Sequence, residues 1–519
     1  MEFVKAHLHM DRMKCQVNTQ ITLEEDKNIS DRNPDAAAIL MEKGNIVLEE
    51  VRTGKDQVTM KGKLFYEVLY LSDEEESVLY RLQGEIPFEE KVRAEGVDSM
   101  DTAQVKTKIE DLRIGLINSR KISVRALVDF CIKAEELFDE SIPVEIQGTE
   151  RLEVKKESFS QSVLSVDRKD IFRIKEELEL PASMPPVQEV LWKSLELGKW
   201  EIRALEDNIG IQGEIRVFLL YEGEAEERPV KAYETIVPFS GNLECIGSRS
   251  GMITEITPSV NSWNINIKED YDGEARQLEA EMVLDLPIHL LEQKEWEMIT
   301  DVYGITQEIV PVYGNGTGKR MQDKYQGKVK ISQVMTIPAS SPHILQIYHA
   351  ENTVLLEDVE KVKTGLEIEG IVPVTVLYMS DNERKPYESL RGEIPFSYTL
   401  ESGNLTENSS WNITPSIEQC SAILLDNENV EVKVVIGLEI TIMEKWQQPF
   451  LRSVQIQPLQ PEKLNQMPGM VVYISNGGEH IWEIGKRYLV PIESIRSLNE
   501  LNSDEVVKGQ KILIVKEAG

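Results

Sequence analysis

Three tyrosines stand in the same setting at nearly constant separation, and that recurrence restricts the fold more than any other feature of the chain. Tyr70, Tyr221 and Tyr378 each follow a short Val/Leu-rich run, at offsets of 151 and 157 residues. A glycine lies eight residues before each one (Gly62, Gly213, Gly370), and a Pro-Phe pair begins seventeen residues after it (Pro87-Phe88, Pro238-Phe239, Pro395-Phe396). A proline precedes each tyrosine by thirty-six residues (Pro34, Pro185, Pro342), and Pro181-Ala182-Ser183 recurs as Pro338-Ala339-Ser340. A period near 150 residues is several times longer than a solenoid repeat, so these are three whole domains and not one stacked array.

Each unit reads as β-rich. Residues 64–71, 214–221 and 371–379 are dense in Val, Leu, Ile and Tyr and run into polar turns such as Ser72-Asp73-Glu74 and Ser380-Asp381-Asn382. Longer alternating runs follow at Ile122–Ile132, Leu278–Leu290 and Val430–Met443. In the third, Val430, Val432, Val434, Ile436, Leu438, Ile440 and Ile442 keep a period of two, which buries one face and wets the face bearing Glu431, Lys433 and Glu439. The repeated glycine marks either a bulge or a close backbone approach. The Pro-Phe pair is expected to cap a strand edge. Three β-rich domains are therefore expected near 1–145, 160–305 and 325–460.

The chain changes character after residue 467. Val471 and Tyr473 alternate with the Ile512/Ile514 pair across two strands, while Ile481, Ile484 and Tyr488, and then Ile492, Ile495 and Leu498, recur at helical spacing. Pro491 suits the start of the second helix, where its missing N–H is no loss. Gly485 weakens the first helix by about 1 kcal/mol relative to alanine. The order is strand, helix, helix, strand over 467–516.

On Tyr473, the Gly478-Glu479-His480-Ile481 turn, Ile484, Lys486, Tyr488, Val490, Leu498-Asn499 and Gly509-Gln510, this stretch resembles a LysM module. That family implies a small βααβ fold and commonly binds N-acetylglucosamine-containing glycans. Its members typically carry Gly-Asp-Thr-Leu at the first turn, where this chain has Glu479 and His480, and histidine is a poorer helix cap than threonine. By the same resemblance a ligand groove lies between the two end loops. Gly478, Glu479, His480, Ile481, Trp482, Asn502, Asp504 and Glu505 are its candidate residues, for a protein partner or a glycan. Trp482 is structural if buried, and an interface anchor if exposed.

The repeats resemble SPOCS domains, which occur upstream of LysM in spore-coat morphogenetic proteins of sporulating bacteria. The resemblance implies a mother-cell protein on the forespore surface that binds the coat-basement ATPase and other coat proteins while the coat encases the spore. The overall expectation is a mainly β chain of three repeat domains followed by a small α+β module.

Composition narrows the partners. A formal charge of −33 argues against nucleic acid and anionic lipid. Residues 467–519 hold seven acids and six bases, so the excess lies upstream, as a solvated surface or as a docking field for a basic partner. No run approaches a membrane span, and the first residues contain no apolar leader, so the chain is expected to stay in the cytoplasm. Cys15, Cys131, Cys245 and Cys420 stand alone and read as small buried thiols in a reducing compartment.

Enzyme chemistry is not expected. His7-Leu8-His9 has no neighbours to complete a metal site and reads as an incidental or flexible pair. Gly314-Asn315-Gly316-Thr317-Gly318-Lys319 imitates a phosphate loop but has Tyr313 at the first required glycine and Arg320 after the lysine, so it reads as a linker between units. Glu74-Glu75-Glu76 and Glu224-Ala225-Glu226-Glu227 read as solvated turn charge. No cofactor is implied. Two functions compete: an assembly adaptor, favoured by the altered turn and the absent leader, and a protein that recognises cell-wall or cortex peptidoglycan.

Overall fold

The computed structural model describes residues 2–74, 78–148, 151–458 and 469–516. The first repeat comprises β1 (Glu2–Asn28), β2 (Ala36–Gly54), β3 (Gln57–Ser72), β4 (Leu79–Arg93), β5 (Thr102–Asn118) and β6 (Lys121–Gln147). The second comprises β7 (Leu152–Glu179), β8 (Val187–Leu205), β9 (Asn208–Gly223), β10 (Val230–Glu244), β11 (Ile253–Glu255), β12 (Ser259–Glu269) and β13 (Ala275–Gly304). The third comprises β14 (Glu308–Thr336), β15 (Ile344–Asn352), β16 (Leu355–Val362), β17 (Gly365–Ser380), β18 (Tyr387–Glu401), β19 (Ser409–Leu424) and β20 (Asn429–Gln457).

Each repeat is two antiparallel sheets face to face. In the first, β2-β3-β4 packs on β1-β6-β5, and the other repeats follow the same plan. Tyr66, Val68 and Tyr70 of β3 meet Val124, Val128 and Phe130 of β6 in one core. The period-two reading of the long runs holds: Val430, Val432, Val434, Ile436, Leu438, Ile440 and Ile442 are all buried in the third core, while Lys433 between them is exposed. Apolar burial of this size dominates the folding of each unit.

The shared spacing has a physical cause. Tyr70, Tyr221 and Tyr378 each occupy the fourteenth position of a sixteen-residue central strand. The Tyr70 and Tyr221 hydroxyls donate to the carbonyls of Pro34 and Pro185, at 3.3 and 3.0 Å, so the thirty-six-residue interval is a hydrogen-bonded contact. The glycines serve both readings left open above. Gly62, Gly213 and Gly370 lie directly across the ladder from Phe88, Phe239 and Phe396. A Cβ at those three positions would meet the phenylalanine ring tip at 2.8, 2.8 and 2.7 Å, and the opposite neighbour strand bulges beside each one. The Pro-Phe pair lies in the middle of an edge strand rather than at a strand end, where proline's missing donor points away from the ladder.

Beyond the sandwiches the first and last strands of every repeat continue as long paired arms: β1 with β6, β7 with β13, β14 with β20. Leu8, Ile142, Val163, Met298 and Phe450 form a core shared by all three arms. The glycine-rich run at 314–319 is no linker. It lies inside β14, and Gly314, Gly316 and Gly318 alternate beneath the rings of Phe450 and Trp446: a Cβ would lie 3.3 and 3.1 Å from Phe450 at the first two and 2.7 Å from Trp446 at the third. His7 and His9 sit within β1, facing Ser141 and Asp139 across the ladder at 2.9 and 2.7 Å. All four cysteines are free thiols, and only Cys245 is fully buried.

The three repeats converge on their outer sheet faces. Leu69 and Leu71, Phe218 and Leu220, and Leu377 contribute to one cluster from the three central strands. Beside it Lys43, Ser194 and Glu351 meet. These residues sit opposite Glu67, Phe218 and Thr375, and so occupy the same ladder position in the three repeats. Lys43 Nζ donates to Ser194 Oγ at 3.3 Å, Glu196 Oε1 at 2.8 Å and Glu351 Oε1 at 2.5 Å. His349, which corresponds to Met41 and Trp192, stacks on Phe218 with ring centres 3.7 Å apart and lies 3.4 Å from Glu351.

Candidate functional site

The terminal module is built from β21 (Met470–Ile474), β22 (Glu479–His480), α1 (Ile481–Tyr488), α2 (Ile492–Leu498), β23 (Glu505–Val506) and β24 (Lys511–Val515). β21 and β24 pair, and both helices pack on one face of that ribbon through Ile481, Ile484, Val490, Ile495, Val506, Ile512 and Ile514. Leu498 is 45% exposed, and Leu501 packs against this core instead. Pro491 stands just before α2 as its cap residue.

The structure brings the two candidate loops together, because Glu479 pairs with Val506 and His480 with Glu505, and the Ile481 N–H donates to the Asp504 carbonyl at 2.8 Å. Most of the candidate side chains are engaged within the module. Glu479 accepts from the Tyr473 hydroxyl at 2.6 Å, the Ser475 hydroxyl at 3.2 Å and the Asn476 N–H at 3.1 Å, and these bonds, the tyrosine's first, hold its carboxyl below the usual range. His480 Nδ1 accepts the Trp482 N–H at 3.0 Å, so the histidine caps α1 as a threonine would. Asp504 is gripped by Arg496 at 2.8 Å. Ile481 is fully buried in the module core. Gly478, with φ 73°, Asn502 and Glu505 are exposed and form the open rim with His480.

Trp482 does something else. It is 8% exposed, and its ring meets Tyr303 of β13 edge-on at 4.9 Å. Its Nε1 donates to Asp301 at 2.8 Å, and Lys486, one turn on, donates to both oxygens of the same carboxylate at 2.7 Å. Tyr313 of β14 adds a fourth bond at 2.8 Å. Burial alone would push the Asp301 carboxyl up, but donation from Lys486, Trp482 and Tyr313 outweighs it and holds the group low. Tyr303 in turn donates to the Val490 carbonyl at 2.7 Å. Gly485 is required here: a Cβ would sit 2.6 Å from the Tyr303 hydroxyl and 2.7 Å from Ile492. The terminal module is thus docked, helices first, on the arm of the second repeat.

At the contact that arm differs from the other two. Each of these strand pairs has two register shifts, the outer one at the same place in every arm, and a bulge re-aims the side chains that follow it. The residues after the bulge are Glu145 and Gln147 in the first arm, Asp301 and Tyr303 in the second, and Ser453 and Gln455 in the third. Sequence reasoning missed Asp301 and Tyr303, although a buried glycine in mid-helix and the Trp482/Lys486 spacing were signals that α1 presses on something. Among the described residues no helix is long and apolar enough to cross a membrane, and no group of three His, Cys, Asp or Glu side chains could hold a metal ion.

Comparison with known families agrees with this architecture. The model described as "SipL, SPOCS domain" matches residues 35–117, 186–268 and 343–425, which in each repeat span the strands between the first and the last long strand. The LysM domain model matches residues 478–515. No curated protein and no solved structure matches the chain. The chain therefore carries three SipL SPOCS domains followed by a C-terminal LysM domain, the architecture to which its sequence was likened.

Proposed function

We propose that this protein is a non-enzymatic adaptor of spore-coat assembly, held at the forespore surface in the mother-cell cytoplasm, where its LysM and repeat domains bind the coat-basement ATPase and other coat proteins during encasement. The domain composition fits a sporulation coat protein. The observation that carries the adaptor reading is the state of the groove: Glu479 and Asp504, one carboxylate from each loop, are already engaged by Tyr473, Ser475, Asn476 and Arg496. A sugar would compete with these bonds, and each polar group it displaced would have to be replaced or left unpaired. The exposed rim of Gly478, His480, Asn502 and Glu505 remains for a protein surface.

The LysM match itself favours a second reading, recognition of N-acetylglucosamine-containing glycan in cortex or wall. Titration calorimetry on the full chain separates the two. The expected result is no heat from N-acetylglucosamine oligomers at millimolar concentration and saturable binding of the purified coat-basement ATPase, lost when Asn502 and Glu505 are both changed to lysine. Micromolar oligomer binding that the same double change removes would establish the glycan reading instead.

A further inference from the structure

The junction between the second and third repeats holds a half-open cavity of about 310 Å³, walled by β8, β9 and β10 on one side and β15 and β19 on the other. One ordered water takes roughly 30 Å³, so the space is that of a small molecule, at the lower end of the range for ligand sites. Its wall is built and polar. Arg216 and His349 are 14% and 10% exposed at the side chain, and Arg216 Nε, His349 Nδ1 and Asn352 Oδ1 have no protein hydrogen-bond partner. His349 Nδ1 is 3.8 Å from the nearest Glu234 oxygen, beyond bonding distance. Buried polar atoms of this kind are ordinarily satisfied, and the three residues that carry these atoms all line the one cavity.

The charges on the wall cancel. Arg216 and His349 stand against Glu196 and Glu234, and Arg216 is paired with Glu196 at 2.8 Å. A ligand with net charge would leave a buried charge without a partner, which is costly. A neutral ligand must accept from Arg216 and His349 and donate to Asn352, as a hydroxyl group can do in both senses. Phe218 and Tyr348 supply carbon surface of the sort that the C–H face of a polyol covers. From these features we propose that the cavity between the second and third repeats is a binding site for a neutral polyhydroxylated molecule of monosaccharide size.

The site is separate from the LysM module and independent of its function. Saturation-transfer NMR on the full chain, with glucose and myo-inositol as probes and glutamate and glycine betaine as charged and zwitterionic controls, tests it. The expected outcome is transfer to at least one neutral probe, none to the controls, and affinity at least tenfold lower in Asn352→Leu and in Ala422→Phe, which fills the cavity from β19. Asn502→Lys, in the LysM rim, should leave the binding unchanged. If Ala422→Phe does not fold, Asn352→Leu decides alone. Absence of transfer from both neutral probes, preference for a control, or equal binding by Asn352→Leu would overturn the assignment.

Discussion

The core of a repeat and the junction between repeats are both buried, yet they are stabilised by opposite means. Within a sandwich, strictly alternating aliphatic residues meet across two sheets with few polar atoms, so burial does the work and any one contact is replaceable. At the junction Lys43, Glu196, Glu351, His349 and Arg216 lie beside an apolar cluster, and among the described residues eight of the eleven buried side-chain atoms without a hydrogen-bond partner belong to that neighbourhood: in Glu42, Glu67, Arg81, Trp192, Arg216, His349, Glu351 and Asn352. A buried ion network contributes little net stability but is costly to break on one side. The cores make each repeat fold; the junction makes the repeats meet in one arrangement.

The largest effects should show this contrast directly. Phe130→Ala is expected to cost about 3–5 kcal/mol through lost burial and cavity formation, confined to the first repeat. Lys43→Met should cost a similar 3–5 kcal/mol by removing the cation that Glu196 and Glu351 share. Adding Glu351→Leu should return most of the second loss, whereas no distant change rescues the first. Urea unfolding of the four variants measures this, and a double variant no better than Lys43→Met would erase the distinction.

Acidity separates the two regions next. Burial opposes protonation of His349, but Glu234 and Glu351 outweigh it and raise the ring to about 9. A raised histidine contributes stability that is complete below its ordinary 6.5 and lost as pH climbs through about 9. Burial likewise pushes Glu351 up, but Lys43 and His349 dominate and lower it, so its contribution is present above 4.5 and disappears in acid. The junction should therefore weaken by up to about 3 kcal/mol between pH 6.5 and 9, while the sandwich cores, read by hydrogen exchange at β6, stay level. His349→Leu should flatten the alkaline limb.

Smaller changes sharpen the picture. Gly213→Ala forces a methyl against Phe239 and the Lys199 carbonyl, and overpacking of that kind costs about 1–3 kcal/mol. An unchanged melting temperature would show that the motif does not depend on the close approach. Tyr303→Phe removes the bond to Val490 and should cost about 1 kcal/mol, seen as faster hydrogen exchange in residues 481–498 with the three sandwiches unaffected.

The sequence showed three β-rich repeats and concealed the junction, and the reason is physical. Period two along 430–442 and the Gly–Phe and Tyr–Pro intervals are consequences of neighbouring strands, so they recur wherever the fold recurs. The junction joins one position from each repeat, and there the repeats differ in chemistry: Lys43, Ser194 and Glu351 fill a single ladder position. Nothing in any one segment announces that its counterpart carries the opposite charge. The LysM fold was legible from its helical spacing, and the groove loops from the resemblance. The partner of Trp482 was not, since Asp301 lies 181 residues away in an arm that looks like the other two.

The paired arms have a mechanical consequence. Glu2 lies opposite Gln147, Leu152 opposite Gly304, and Glu308 opposite Gln457, so every repeat begins and ends at the same point in space. Tension applied along the chain would enter each repeat through that point and pull the two strands apart sideways, breaking cross-strand bonds in succession instead of loading them all in shear. The sandwiches would feel no force until their arms had opened, which makes the arms a yielding element in series with three stiff ones.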